Sequence, residues 1–222
     1  MPTNRKIVFA NEFYYHIFNR GIDRKDVFTD KREFLRAIET LKYYRFSSLK
    51  IKLSRFLKLT EEDQRTYFNQ ITNQNKLVEI IAYCLMPNHF HFLIKQLRDS
   101  GISKFLANLQ NSYTKYFNTK HERVGPLFQG LFKAVLVETN EQLIHLSRYI
   151  HLNPSSSAIV KIDQLENYPW SSLPEYLNNK SLISNTNEVL GFFKNVKSYR
   201  DFVFDHALYA KELDKIKHLA ME

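Results

Sequence analysis

Met86-Pro87-Asn88-His89-Phe90-His91-Phe92-Leu93-Ile94 is the stretch on which the fold turns. It follows a largely apolar run, Val78 to Met86, and the two runs read as strand, tight turn and strand, a central hairpin from Leu77 to Gln96. Side chains alternate along a strand, so His89 and His91 project from one face while Phe90 and Phe92 go to the other. Two imidazoles about 6.5 to 7 Å apart along a strand can converge on one divalent cation. A lone His-x-His is also what two polar residues on a half-exposed strand look like, so further ligands and a reactive group must come from elsewhere in the chain.

Outward from the hairpin, the other elements declare themselves by periodicity. Phe13 to Phe18 is aromatic and β-branched and ends at the turn signal Asn19-Arg20-Gly21, giving a first strand. Asp30 is an N-cap for a first helix from about Lys31 to Arg45, with Phe34, Leu35, Ile38, Leu41 and Tyr44 at helical spacing. A second helix from about Ser103 to Asn118 carries Ile102, Phe105, Leu106, Leu109, Tyr113, Tyr116 and Phe117. A last strand, Leu131 to Glu138, precedes Thr139, an N-cap with Gln142 three residues on. The third helix that follows contains Leu143, Ile144, Leu146, Tyr149 and Ile150 and is expected to stop at Pro154.

This order predicts an α+β fold, a ferredoxin-like antiparallel sheet of four or five strands with packed helices. The segment from Phe46 to Lys76 fits it less well. Leu49 to Leu53 reads as a strand or a helix start and Thr60-Glu61-Glu62-Asp63 as a helix start, but the rest is polar with no clear core face, so residues 46–76 read as an insertion. The expected organisation is a main domain over 1–177, with residues 46–76 as its insertion, and a C-terminal helical extension over 178–222. That extension contains a short helix near Glu188 to Phe193 and a last helix from Ser198 carrying Phe202, Val203, Leu208, Leu213 and Ile216.

Composition narrows the setting. Thirty-two Lys and Arg against 23 Asp and Glu give a net charge of +9 over 222 residues, which favours a polyanionic partner because phosphates reward each cation through counterion release. Cys84 is the only cysteine, so no intramolecular disulfide exists, and its apolar surroundings suit a buried thiol. No signal-like or membrane-spanning apolar run is present, which reads as a cytoplasmic protein with no membrane partner.

The third helix supplies chemistry the His pair lacks. Tyr149 and Asn153 are four apart and share a face, so the Asn153 amide oxygen is a hard neutral ligand beside a phenol. A Tyr among Leu146, Ile150 and Leu152 is ordinarily core. A phenol with a pKa near 10 is a poor nucleophile until a cation or base assists it. Tyr113 and Tyr116 read as core or groove-wall residues, Tyr116 being the rival nucleophile.

Taken together these motifs resemble the single-tyrosine HUH transposase family of small bacterial insertion sequences, and within it the REP-associated tyrosine transposase branch. His89-Phe90-His91 is similar to the family's His-hydrophobic-His motif, and Arg148-Tyr149-Ile150-His151-Leu152-Asn153-Pro154 to its nucleophile helix. Gly125 to Lys133 resembles the segment leading into its last strand, and Tyr168-Pro169-Trp170-Ser171-Ser172 its downstream signature. The resemblance spans about Tyr14 to Tyr176. The sequence departs from the branch at His151, where Glu is common, and at Phe128 and Leu131, where Trp and Arg are.

The resemblance implies a strand transferase acting on single-stranded DNA next to a hairpin. Tyr149 would be the nucleophile, leaving a 5′-phosphotyrosine link and a free 3′-OH. His89, His91 and Asn153 would hold Mg²⁺ or Mn²⁺, and no ATP would be needed, with the protein a monomer or homodimer. Arg20, Arg24, Lys25, Lys120, Arg123 and Lys133 are the candidate DNA contacts. A second reading, from another class, is a catalytically inactive protein derived from this family that only binds structured DNA or RNA.

Overall fold

Val78–Met86 forms strand β2 of a four-stranded sheet and His89–Gln96 forms β3, joined by the two-residue turn Pro87-Asn88 in a computed structural model that describes residues 7–72 and 76–205. With β1 (Tyr14–Arg20) and β4 (Lys133–Val137) the sheet order is β2-β3-β1-β4, every neighbour antiparallel. The helices are α1 (Lys31–Tyr44), α2 (Leu53–Phe56), α3 (Glu61–Thr72), α4 (Gly101–Lys120), α5 (Asn140–Ser156), α6 (Leu173–Leu177), α7 (Asn187–Leu190) and α8 (Val196–Phe204). This is the expected α+β, ferredoxin-like arrangement, with four strands among the described residues. None of the described helices is long and apolar enough to cross a membrane.

Helices cover both faces of the sheet, which is why β2 is apolar almost throughout rather than alternating. One face carries Tyr15, Ile17, Phe90, Phe92 and Ile94 against α1 and α4. Phe90 and Phe92 stack with centroids 4.4 Å apart, and Phe92 meets Phe105 of α4. The opposite face presents Ile81, Cys84, Met86 and Leu93 to α5 and the C-terminal helices. Cys84 is wholly buried there, its thiol pushed to a higher pKa by that burial and donating to Met86 Sδ at 3.6 Å.

The helix starts follow their caps. Asp30 Oδ1 accepts from the Glu33 N–H at 3.0 Å, and Thr139 Oγ1 accepts from the Gln142 N–H at 3.1 Å. Gly21, just after β1, has no room for a side chain: a Cβ would lie 2.2 Å from the Lys25 carbonyl oxygen and 2.8 Å from Val27. That close approach lets the Gly21 N–H reach the Asn88 carbonyl at 2.8 Å, while Val27 and Phe28 N–H groups both bond Pro87 O. The loop after β1 therefore clamps the turn that precedes His89.

Three expectations need correction. The third helix does not stop at Pro154 but runs to Ser156. A proline in the last turn removes a single i→i−4 bond, and the burial of Leu152, Asn153 and Pro154 holds this turn helical in spite of it. The 46–76 segment does have a core face: Tyr43 packs with Leu53 and Phe56, and Tyr67 and Phe68 of α3 close over them. The Tyr67 hydroxyl also accepts from the Lys50 and Ile51 N–H groups at 3.0 and 3.3 Å, so one aromatic ties an irregular stretch to a helix. The last described helix starts at Val196, not Ser198; Asn195 caps it, and Ser198 is the third residue of a reciprocal capping box. Leu208, Leu213 and Ile216 lie outside the described residues.

Candidate active site

Alternation along β3 puts His89 and His91 on the α5 side of the sheet, with Phe90 and Phe92 on the other. The two imidazoles stand nearly perpendicular, centroids 5.0 Å apart; His91 is wholly buried and His89 half-buried. Helix α5 crosses this face over β2 and β3 and brings Tyr149 down beside the pair. Its ring meets His91 edge-on, centroids 5.6 Å apart and planes at 85°. Tyr149 is half-buried at the border of the core on this face rather than sealed within it.

Asn153 lies one turn further along the same helix and is 5 % exposed; its Oδ1 accepts from Ser157 Oγ at a long 3.4 Å. The structure thus brings His89, His91 and Tyr149 together through ring contacts and sets Asn153 a helical turn from the phenol. No group of three His, Cys, Asp or Glu side chains able to hold a metal ion occurs among the described residues. A cation here would need a ligand of another type, and an amide oxygen is one. The imidazoles suit that role: His89 Nδ1 bonds Asn88 Oδ1 at 2.6 Å, and His91 Nδ1 bonds His16 Nε2 at 3.0 Å. With Nδ1 engaged on both rings, Nε2 is the nitrogen left on each that could ligate a cation, an arrangement in which outer groups orient metal-binding histidines.

His16 is the residue that sequence reasoning passed over. It sits on β1 inside Phe13-Tyr14-Tyr15-His16-Ile17-Phe18, where it reads as one more ring of an aromatic strand. Its parity with Tyr14, Phe18 and Arg20 was the available signal, but only the pairing register, His16 opposite Leu93 and Phe18 opposite His91, puts it on the histidine face.

The remaining motif residues have other work. His151 is buried between Tyr199 OH, 2.8 Å from Nδ1, and Ser172 Oγ, 2.7 Å from Nε2, and burial pushes its pKa down to about 3, so it is neutral. Ser172 Oγ in turn accepts from the Tyr83 N–H at 2.9 Å, and the Tyr168 hydroxyl donates to Leu85 O at 2.8 Å. The stretch from Tyr168 to Ser172 is therefore a strap holding α5 to the edge strand β2. Arg148, wholly buried, lies over the Phe202 ring at 4.7 Å and donates to the Asp205 carbonyl.

The basic candidates divide. Arg20, Arg24 and Lys133 line a cleft of about 660 Å³ with Asn88, His89, Gln129 and Leu131. Lys25 is exposed nearby and does not line it. Lys120 is far from this cleft in its bonding: its ammonium meets Asp30 at 2.5 Å and Glu33 at 2.7 Å, bonds that raise its pKa to about 12. Burial alone would raise the pKa of the Glu33 carboxyl, yet bonds from Lys120, Thr29 and His121 hold it low. Arg123 is spent on Asn118 Oδ1 at 2.9 Å and Pro126 O at 3.1 Å. Tyr116, the rival nucleophile, packs with the first core across the sheet from His91, under Arg36 at 5.1 Å. Phe128 is 6 % exposed in that same core.

Against known proteins, the family described as "Transposase IS200 like" matches residues 37–153, just over half the chain. Among solved structures, a REP-associated tyrosine transposase bound to a REP hairpin is similar at a TM-score of 0.52 and 15 % identity, covering 79 % of this chain and 86 % of that one. At that identity the likeness speaks for the fold. A transposase-like protein from Deinococcus radiodurans R1 is 16 % identical over 68 % of this chain and 95 % of that one, with a TM-score of 0.36. No curated protein matches the chain.

Proposed function

Because the chain belongs to the IS200-like transposase family, we propose that it is a metal-dependent single-stranded DNA endonuclease and strand transferase that cuts beside hairpin DNA through a covalent 5′-phosphotyrosine. The observation that carries this reading is the half-buried Tyr149 ring standing edge-on to His91 at 5.6 Å. A REP hairpin is the ligand in the structurally similar transposase, and that likeness supports a hairpin of that kind as the partner proposed here and the REP-associated branch as the proposed affiliation.

In this reading the Tyr149 oxygen attacks the scissile phosphorus while the bond to the 3′-oxygen breaks in line. The phenol proton goes to solvent, the departing 3′-oxygen takes one up, and the product is a 5′-phosphotyrosine with a free 3′-OH. Energy of the phosphodiester is kept in the covalent link, so the reverse attack by a 3′-OH rejoins strands without ATP. His89 and His91, each through Nε2, and Asn153, through Oδ1, would hold Mg²⁺ or Mn²⁺, which when bound polarises the phosphoryl oxygens and stabilises charge in the transition state. The edge-on contacts of His16 and His91 with the Tyr149 ring brace it on two sides, and in-line displacement needs a positioned nucleophile.

Arg20, Arg24 and Lys133 around the cleft beside His89 suit the sugar-phosphate backbone, with Lys25 at its margin. Lys120 and Arg123, engaged within the chain, are assigned instead to holding α4 and its following loop. One chain supplies both imidazoles and the phenol, so a monomer is competent.

The test is adduct formation with hairpin-bearing single strands and Mn²⁺, read as a shifted band on a denaturing gel. Tyr149→Phe is expected to bind the hairpin and give no adduct, while Tyr116→Phe gives the wild-type yield. A wild-type yield from Tyr149→Phe would sink the proposal.

A further inference from the structure

The two active-site rings touch a third, and the contact is specific. His16 is wholly buried, and its Nε2 lies 3.0 Å from His91 Nδ1. The rings stack at 20° with centroids 5.2 Å apart. His16 also meets the Tyr149 ring edge-on, centroids 6.1 Å apart and planes at 80°. One buried side chain thus contacts both the ring proposed to ligate and the ring proposed to attack.

A hydrogen bond between two ring nitrogens contains one hydrogen, and its position has a consequence at the far side of His91. A neutral imidazole has one N–H and one lone pair. If His16 Nε2 donates, His91 Nδ1 accepts, and His91 Nε2 then holds the hydrogen and is unable to ligate. If His91 Nδ1 donates, His91 Nε2 has the lone pair that a cation requires. Metal binding by His91 therefore demands that His16 act as acceptor, with its own hydrogen on Nδ1.

We infer that His16 is a positioning residue of the site: as acceptor from His91 Nδ1–H it fixes the tautomer and plane in which His91 Nε2 ligates, and its ring edge sets the rotamer of Tyr149. The inference rests on the metal-dependent reading above and deepens it. It gives β1 a role in the chemistry, although β1 contributes no ligand and no nucleophile. Its partner on the other ring is Asn88, which bonds His89 Nδ1 at 2.6 Å. The two ligating histidines are thus oriented from two different sides, one by a strand and one by the hairpin turn.

Two measurements decide it. In the intact protein, long-range ¹⁵N–¹H correlation of the histidine rings should find His91 with hydrogen on Nδ1 and His16 with a bare Nε2; the opposite tautomers would overturn the inference. Calorimetric titration with Mn²⁺ alone, on DNA-free protein in a Tyr149→Phe background, should show affinity reduced about 10- to 100-fold by His16→Phe. His16→Gln, which returns an acceptor near the Nε2 position, should recover most of it. Wild-type Mn²⁺ affinity in folded His16→Phe overturns the inference and leaves the metal reading standing. An absence of Mn²⁺ binding when His16 is intact overturns both. Should His16→Phe fail to fold, the tautomer measurement on the intact protein decides alone.

Discussion

The two faces of one sheet have opposite contents. Towards α1 and α4 the buried side chains are Tyr15, Ile17, Phe90, Phe92 and Ile94, with Ile102, Phe105 and Leu109 from α4 opposite them. Towards α5 the apolar lining is broken by His16, His91, Ser147, His151, Asn153 and Ser172, all buried. Burying polar groups costs free energy unless each is bonded. On this face they form chains: Ser147 to Tyr199 to His151 to Ser172, and His16 to His91. The contrast teaches where each face's stability comes from. The first relies chiefly on area and shape, whereas the second adds to its own apolar core a set of buried hydrogen bonds between side chains.

The sharpest way to break that comparison is to remove the histidine pair. His89→Ala with His91→Ala should abolish cleavage of hairpin oligonucleotides at a modest cost in melting temperature, set by the loss of the buried His16–His91 bond while the apolar face is untouched. Cleavage at the wild-type rate in the double variant with EDTA present would remove any metal role. Phe92→Ala on the other side of the same strand should do the reverse. It should cost about 3 to 5 kcal/mol of stability, measured by urea titration, while the molecules that stay folded still form the adduct.

The polar face should also be the acid-sensitive one. His151 has a folded pKa of about 3 against an unfolded value near 6.5. The unfolded chain thus binds the extra proton between these values, and stability falls as pH drops through that window. One such group accounts for a loss of about 2 kcal/mol between pH 7.5 and pH 5. His151→Gln, which can keep two hydrogen bonds without titrating, should flatten this slope in thermal melts at the two pH values. The smallest effect separates the two sets of cations. Arg24→Ala and Lys133→Ala should each lower the salt slope of single-strand binding by about 0.7, whereas Lys120→Ala should leave it unchanged.

How far the sequence could be read follows the same division. Elements whose signal is local came through: the Pro87-Asn88 hairpin, the Asp30 and Thr139 caps, and the amphipathic runs of α1 and α4. Features created by distant partners did not. Tyr67 and Phe68 sit in a polar stretch, and it takes Phe56 and, more than twenty residues back, Tyr43 to make them part of a core. Pro154 was read by a local rule that the packing of α5 overrides. At the site, His89 and His91 are visible as a pair and Tyr149 as a helix residue, because each motif is contiguous. Their convergence needs α5 to lie across β2 and β3, and His16 joins them only through the register of β1 on β3. Six basic residues looked alike in the sequence; ion pairing in three dimensions is what separates Lys120 from Arg24 and Lys133.

Cys84 sits on the polar-face side of β2, wholly buried and next to the strap that bonds Tyr83 and Leu85. As the only thiol in the chain, it is a built-in clock. A thiol reagent has nothing to modify until the Tyr168 to Ser172 strap lifts or the sheet opens, so the labelling rate counts opening events at the edge that holds α5 in place. The same buried thiol can thereby time how often α5 comes loose, with no mutation and no attached dye.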